Sequence, residues 1–79
     1  MKKIVLDTPV TVSGHEYKEL TMREPKVRDQ LFAAKQGGTD AEKEVTFVSN
    51  LCEVAPEVIH ELSMRDYRQV QDELHNFLS

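Results

Sequence analysis

The 79-residue chain holds few side chains suited to covalent or metal chemistry: one cysteine, Cys52, and three histidines, His15, His60 and His75. A cysteine nucleophile needs its thiol in a cleft, with a lowered pKa and an imidazole within hydrogen-bond reach. Cys52 falls instead on the apolar stripe of a helical segment, where cysteine behaves as a small hydrophobe. Neither a Cys52–His60 nor a Cys52–His75 pair is signalled by the pattern around it. His15 follows a turn glycine and reads as solvent-exposed. His75 stands one turn after Asp72, a spacing that can orient an imidazole, but on the polar side of an acidic helix it reads as two solvated groups. A single cysteine allows no intramolecular disulfide and no zinc-ligand spacing. Gly37-Gly38 precedes a helix as a phosphate loop would, yet no Gly-Lys-Ser/Thr follows. The helix opens Thr-Asp-Ala-Glu, whose carboxylates oppose phosphate. The acidic residues show no EF-hand spacing. The expectation is no enzyme, with no catalytic, cofactor-binding or metal-ligating residue.

Charge narrows the partners. The chain carries 14 acidic and 10 basic residues, a formal charge of −4. Residues 1–38 hold seven Lys/Arg and five Asp/Glu, a balance of +2, whereas residues 39–79 hold three against nine, a balance of −6. An acidic second half repels phosphate, and the scattered basic residues of the first half form no tracking patch, so no nucleic-acid partner is expected. The opening MKKIVLDT reaches Asp7 too soon for a signal peptide's apolar region, and no run approaches the ~20 apolar residues of a membrane span. The expected compartment is the cytoplasm, with no membrane partner. Composition is that of an ordinary globular protein, 39% hydrophobic and 30% charged, and the length suits one domain over residues 1–79.

The elements follow from periodicity. In KIVLDTPVTV, Ile4, Leu6, Val10 and Val12 share one parity, the alternation of a strand with one buried face. Pro9 cannot donate to a ladder, which makes this an edge strand or two short strands. Ser13-Gly14 is the turn, and the returning strand places Leu20 and Met22 together. Tyr17 lies on the opposite parity, implying a bulge, a strong twist, or a ring over the other face. Arg23-Glu24-Pro25 ends the strand and launches a helix. The pattern predicts an α+β fold: an N-terminal β-hairpin (about 3–22) and three to four helices (about 26–35, 40–54, 56–61 and 64–78) packed on one face. The first helix is expected to bury Val27, Leu31 and Ala34 at i, i+4 and i+7. The second is expected to be central, with Thr39 and Glu42 at capping-box spacing. Ser63 and Asp66 repeat that spacing before the last helix.

The apolar surplus lies on the second and last helices. One reading places all of it in a single core. The other leaves part of the last helix, Met64, Tyr67, Val70, Leu74, Phe77 and Leu78, open to a partner helix or a second copy.

With those residues set out, the chain resembles the small tail assembly chaperones of Mu-like and related contractile-tailed temperate phages and prophages. The resemblance is carried by LDTPVTVSG (6–14), YKELTMREP (17–25), VSNLCEVAPEVIHEL (48–62) and DYRQVQDELHNFL (66–78), in order along nearly the whole chain. It implies a non-enzymatic protein that binds the tape measure protein during tail morphogenesis and is absent from the mature virion. Tail tube protein and a frameshift-extended form of the same chain are the further partners it implies, whereas a homo-oligomer is an expectation from the small core and the apolar surplus. The family lends no catalytic residue and no cofactor. The alternative is a small homodimeric adaptor of a mobile element with no chaperone role.

Overall fold

The computed structural model describes all 79 residues and begins with a hairpin closed by the tightest loop the chain allows. Ser13 and Gly14 both take positive φ, 52° and 77°. A two-residue loop with left-handed backbone at both positions matches the right-handed twist of the strands it joins. It connects β1 (Lys2–Val12) to β2 (His15–Met22), and the two form an antiparallel, two-stranded sheet.

The pairing is regular at both ends and broken in the middle. Ile4 opposes Leu20 and Val10 opposes Tyr17, but between Val5 and Val10 five steps on β1 face only two on β2. The surplus is a bulge spanning Leu6 to Pro9, where the proline has no ladder bond to lose. This bulge accounts for Tyr17: it pairs with Val10 and packs, half-buried, against the core despite its parity. Of the three readings open for Tyr17, the bulge is the one observed.

Four helices follow: α1 (Val27–Gln36), α2 (Asp40–Cys52), α3 (Pro56–His60) and α4 (Met64–Leu78). The α+β order matches the sequence pattern, with boundaries shifted by a residue or two. Helix α2 stops at Cys52 rather than Val54 because Glu53 turns left-handed, φ 55° and ψ 44°. The amides of Glu53 and Val54 then donate back to Asn50 and Ser49, closing the helix end. At its other end Thr39 Oγ1 accepts from the Glu42 amide while Glu42 Oε1 accepts from the Thr39 amide, the reciprocal cap expected from the spacing.

One core joins these elements. Ile4, Leu6, Val10, Leu20 and Met22 from the sheet meet Val48, Leu51 and Cys52 of α2, Val58, Ile59 and Leu62 around α3, and Val70 and Leu74 of α4. Helix α2 is the central one, packing against β2, α1 and α3, while α4 lies along β1. The other face of the sheet carries Lys3, Val5, Glu16, Lys18 and Glu19 into solvent.

Asp66 is the polar half of the contact between α4 and β1. Its neighbour Ser63 caps α4 by accepting from the Asp66 amide, but the Asp66 carboxylate does not complete the local box. It reaches across the molecule instead. Oδ1 accepts from the Asp7 amide at 2.8 Å, Oδ2 from the Thr8 amide at 3.0 Å, and Gln69 donates to both Oδ1 and the Val5 carbonyl. The bulge therefore has its free amides satisfied by a fully buried carboxylate. Burial is the largest influence on Asp66 and opposes its ionisation, but the two amides and Gln69 together outweigh it and hold the carboxyl below its ordinary value.

Replacing Asp66 by alanine strands two strand amides at a buried site. The expected loss is about 2–4 kcal/mol of unfolding free energy. The same change at exposed Asp72 should alter stability by less than about 0.5 kcal/mol, and urea denaturation of both variants makes the comparison.

Candidate functional site

Helix α1 is the element that departs from its expected packing. Its buried residues are Asp29 and Ala33, not Val27, Leu31 and Ala34. Val27 is 73% exposed and Leu31 65% exposed, and Ala34 and Phe32 also face solvent. At 100° per residue, Val27, Leu31 and Ala34 fall within about 60° of one another, on the side of the helix away from Asp29. The periodicity was a true amphipathic stripe; its direction is reversed.

The reason is a polar latch. Asp29 Oδ1 and Oδ2 accept from the Arg23 guanidinium at 2.7 and 2.9 Å, a two-point ion pair. Oδ2 also accepts from the Lys26 amide at 2.8 Å, and Oδ1 from Asn50 Nδ2 at 2.7 Å. Arg23 itself donates to the Asn50 carbonyl, and its Nε lies 3.6 Å from a Glu53 carboxylate oxygen. The Arg23 amide donates to the Leu51 carbonyl, fixing the end of β2 on α2. Hydrogen bonding from Arg23 is the chief influence on Asp29 and, with Lys26 and Asn50, overcomes burial to hold its carboxyl at about 2. One helix cannot turn both Asp29 and the opposite apolar stripe inward. An ion pair left without its partner at a buried site costs more than exposing an alkyl group, so the carboxylate takes the inner position.

Beside the outward stripe runs an open groove of about 460 Å³ between α1, α2 and the end of α4. Ala34, Phe47, Leu74 and Leu78 give it an apolar floor, and Gln30, Asp40, Lys43 and Glu44 stand at its walls. Glu44 Oε1 accepts from both the Tyr67 hydroxyl and Gln71 Nε2, stitching α2 to α4 beneath the groove. Burial, and then this bond to Glu44, push the Tyr67 hydroxyl well above its ordinary value. A smaller cleft of about 180 Å³ opens on the far side of α2, formed by Val45, Ile59, His60, Leu62, Met64 and Tyr67.

The six apolar residues of α4 singled out from sequence fall into three positions. Met64 and Leu78 are exposed, 74% and 65%, at opposite ends of the helix. Tyr67 and Phe77 are half-buried against the core. Leu74 is buried and forms part of the groove floor, and Val70 lies wholly inside the core beneath them. The structure adds Val27, Leu31 and Ala34, which the sequence had assigned to the interior, and with them Phe32. Arg23 and Asp29, two residues apart from Pro25 and Val27, were the available signal: a cation and a carboxylate flanking a helix start can meet only if that carboxylate turns inward.

Cys52 is buried, and burial pushes its thiol up to about 11, so at neutral pH it is protonated rather than nucleophilic. The His15 ring packs edge-on against Tyr17 with centroids 4.5 Å apart. No three His, Cys, Asp or Glu side chains converge as metal ligands do. No helix is long and apolar enough to cross a membrane.

A family model described as "Phage tail assembly chaperone proteins, E, or 41 or 14" matches residues 3–79. Comparison with curated proteins and with solved structures gave no match.

The latch gives stability a defined pH dependence. The Asp29 carboxyl titrates near 2 in the folded protein and at its ordinary value when unfolded. Between those values the unfolded chain binds more protons, so stability is fully present above about pH 4 and falls as pH drops toward 2. Urea titrations across that range should show the decline, and Asp29→Asn should make it shallower, leaving the share that Asp66 contributes, while lowering stability at neutral pH.

Proposed function

The chain belongs to the phage tail assembly chaperone family, and from that premise we propose that it is a non-enzymatic chaperone of the tape measure protein. In this reading it acts in the host cytoplasm during tail morphogenesis and is absent from the mature virion. Tail tube protein and a frameshift-extended form of the chain are its further partners.

The observation that supports this reading best is the outward apolar face. A chain of 79 residues with a thin core has every reason to bury Val27 and Leu31, yet a buried ion pair turns them to solvent beside an apolar groove. An amphipathic helix lying on such a face would insert its i, i+3, i+4 and i+7 anchors between α1 and the end of α4. Leu74 and Leu78 form the floor of that contact, with Phe77 beside them. Met64 and Tyr67 offer the second cleft, and Val70 supports α4 from within. The acidic balance of residues 39–79 favours client segments that carry lysine or arginine next to their apolar face.

Coating follows from weak contacts in number. One small chaperone holds one short segment, many copies along a long client hold it firmly, and each is displaced singly as tube protein arrives.

Co-expression with the tape measure protein of the same phage provides the test. The client should become soluble and co-elute with the chaperone. The double substitution Leu31→Glu and Leu78→Glu should weaken the complex at least about tenfold, since each leucine buried at an interface contributes about 1.5–3 kcal/mol. A client whose solubility is unchanged, with no complex eluting, would sink the proposal.

A further inference from the structure

We propose that α1 is a detachable arm, which leaves α2 and returns as a unit while the rest of the fold stays closed. Both roots of the arm are fixed by bonds in which α1 takes no part. Before it, the Arg23 amide donates to the Leu51 carbonyl and pins the end of β2 on α2. After it, Thr39 and Glu42 cap α2 reciprocally. The links between are short: Glu24-Pro25 on one side, and on the other Gly37 and Gly38 at φ 75° and 101°, backbone that glycine takes without a side-chain penalty. Links of this kind, at the ends of an element, absorb the change of angle when the element moves.

The balance of contacts makes this the first part of the fold to open. Undocking α1 uncovers one buried alanine of its own, Ala33, and returns the Asp29 carboxylate to water. Detaching α4 would instead uncover Val70 and Leu74 and leave the Asp7 and Thr8 amides without their acceptor. Arg23, which stays behind on the body, is not left alone. It keeps the Asn50 carbonyl at 3.3 Å and the Glu53 carboxylate at 3.6 Å. The cation therefore has partners with the arm open or shut, and opening escapes the penalty of a buried ion stripped of its counterpart. A helix of ten residues does not hold its shape alone in water, so the open arm loses its helix together with its seat. Opening is a local unfolding step of low cost, set by how few apolar contacts it breaks.

The arm is also the movable wall of the groove. Gln30, Ala33 and Ala34 bound it on the α1 side, and Phe47 lies on α2 opposite. With α1 away, the groove becomes an open shelf between α2 and the end of α4. Opening stands by itself on this geometry. One consequence, that a client segment enters the shelf and the arm closes on it, rests on the chaperone reading above.

Native-state hydrogen exchange on the full-length protein tests the arm. Amides of Leu31–Gln36 should be protected at least about 100-fold less than those of Val48–Leu51, with exchange unchanged by low urea because local opening exposes little surface. A thiol probe separates undocking from fraying. The thiol introduced by Ala33→Cys lies under the arm, and Cys52 in the core reports global unfolding in the same molecule. An alkylating reagent should label the first at least about 100-fold faster than Cys52, and adding Asp29→Asn should widen that ratio at least about tenfold further. Exchange of α1 and α2 amides at equal protection and equal urea dependence overturns the proposal, and so does labelling of the two thiols at one rate. The wild-type exchange decides by itself if Ala33→Cys disturbs the seat. Adding the tape measure protein of the same phage should slow α1 exchange at least about tenfold. A complex that leaves α1 exchange unchanged keeps the arm and overturns its part in client binding. Absence of any complex sinks the chaperone reading and leaves the arm standing on the client-free measurements.

Discussion

The ion pair between Arg23 and Asp29 decides which way α1 faces, and the character of the molecular surface depends on that direction. Apart from Ala33, α1 offers the core no buried apolar residue; the Asp29 carboxylate with its four donor contacts is what holds it on α2. A buried ion pair contributes little net stability against an apolar replacement, because desolvation cancels most of the attraction. What it does contribute here is orientation. It is satisfied in one rotation of the helix only, and that rotation exposes Val27 and Leu31.

Three helices carry an acidic residue at their third position, Asp29, Glu42 and Asp66, where the positive end of the helix favours a carboxylate. Each uses that position differently. Glu42 folds back on its own cap and stays exposed. Asp29 bonds its own cap amide and also the residue that ends the preceding strand. Asp66 leaves its cap to Ser63 and takes the amides of a strand near the other end of the chain. The step from local cap to long-range tether turns an exposed surface group into a buried hinge point of the fold.

Much of this architecture was legible in the sequence, because hairpins and helices are announced by local chemistry. Ser13-Gly14, Pro25, Gly37-Gly38 and Pro56 mark the breaks, and the alternation of Ile4, Leu6 and Val10 marks the buried face of the sheet. The facing of α1 was not legible in that way. Its stripe of Val27, Leu31 and Ala34 has the same period whether it points in or out, and the decision belongs to Asn50, twenty-one residues beyond Asp29, as much as to Arg23. The Tyr17 parity had the same limit. A bulge in β1 resolves it, and that bulge is held open by Asp66, which no local pattern connects to Thr8. On α4 the stripe was read correctly as apolar, but its division between core, groove floor and solvent is set by how closely α2 and β1 approach.

The tether from Asp66 to the bulge also carries a consequence for how the chain reaches its fold. It joins residues 58 and 59 positions apart in a molecule of 79, and Val70 and Leu74 cover the same strand from the same helix. The first strand therefore has no complete set of partners until the last helix exists. Loop-closure entropy over nearly the full length must be met before the contacts that compensate it form. Such a chain has no stable half: the hairpin alone is marginal in water, and synthesis from the N-terminus yields a strand that waits. Folding is then a late and collective event, completed only when α4 comes back to β1.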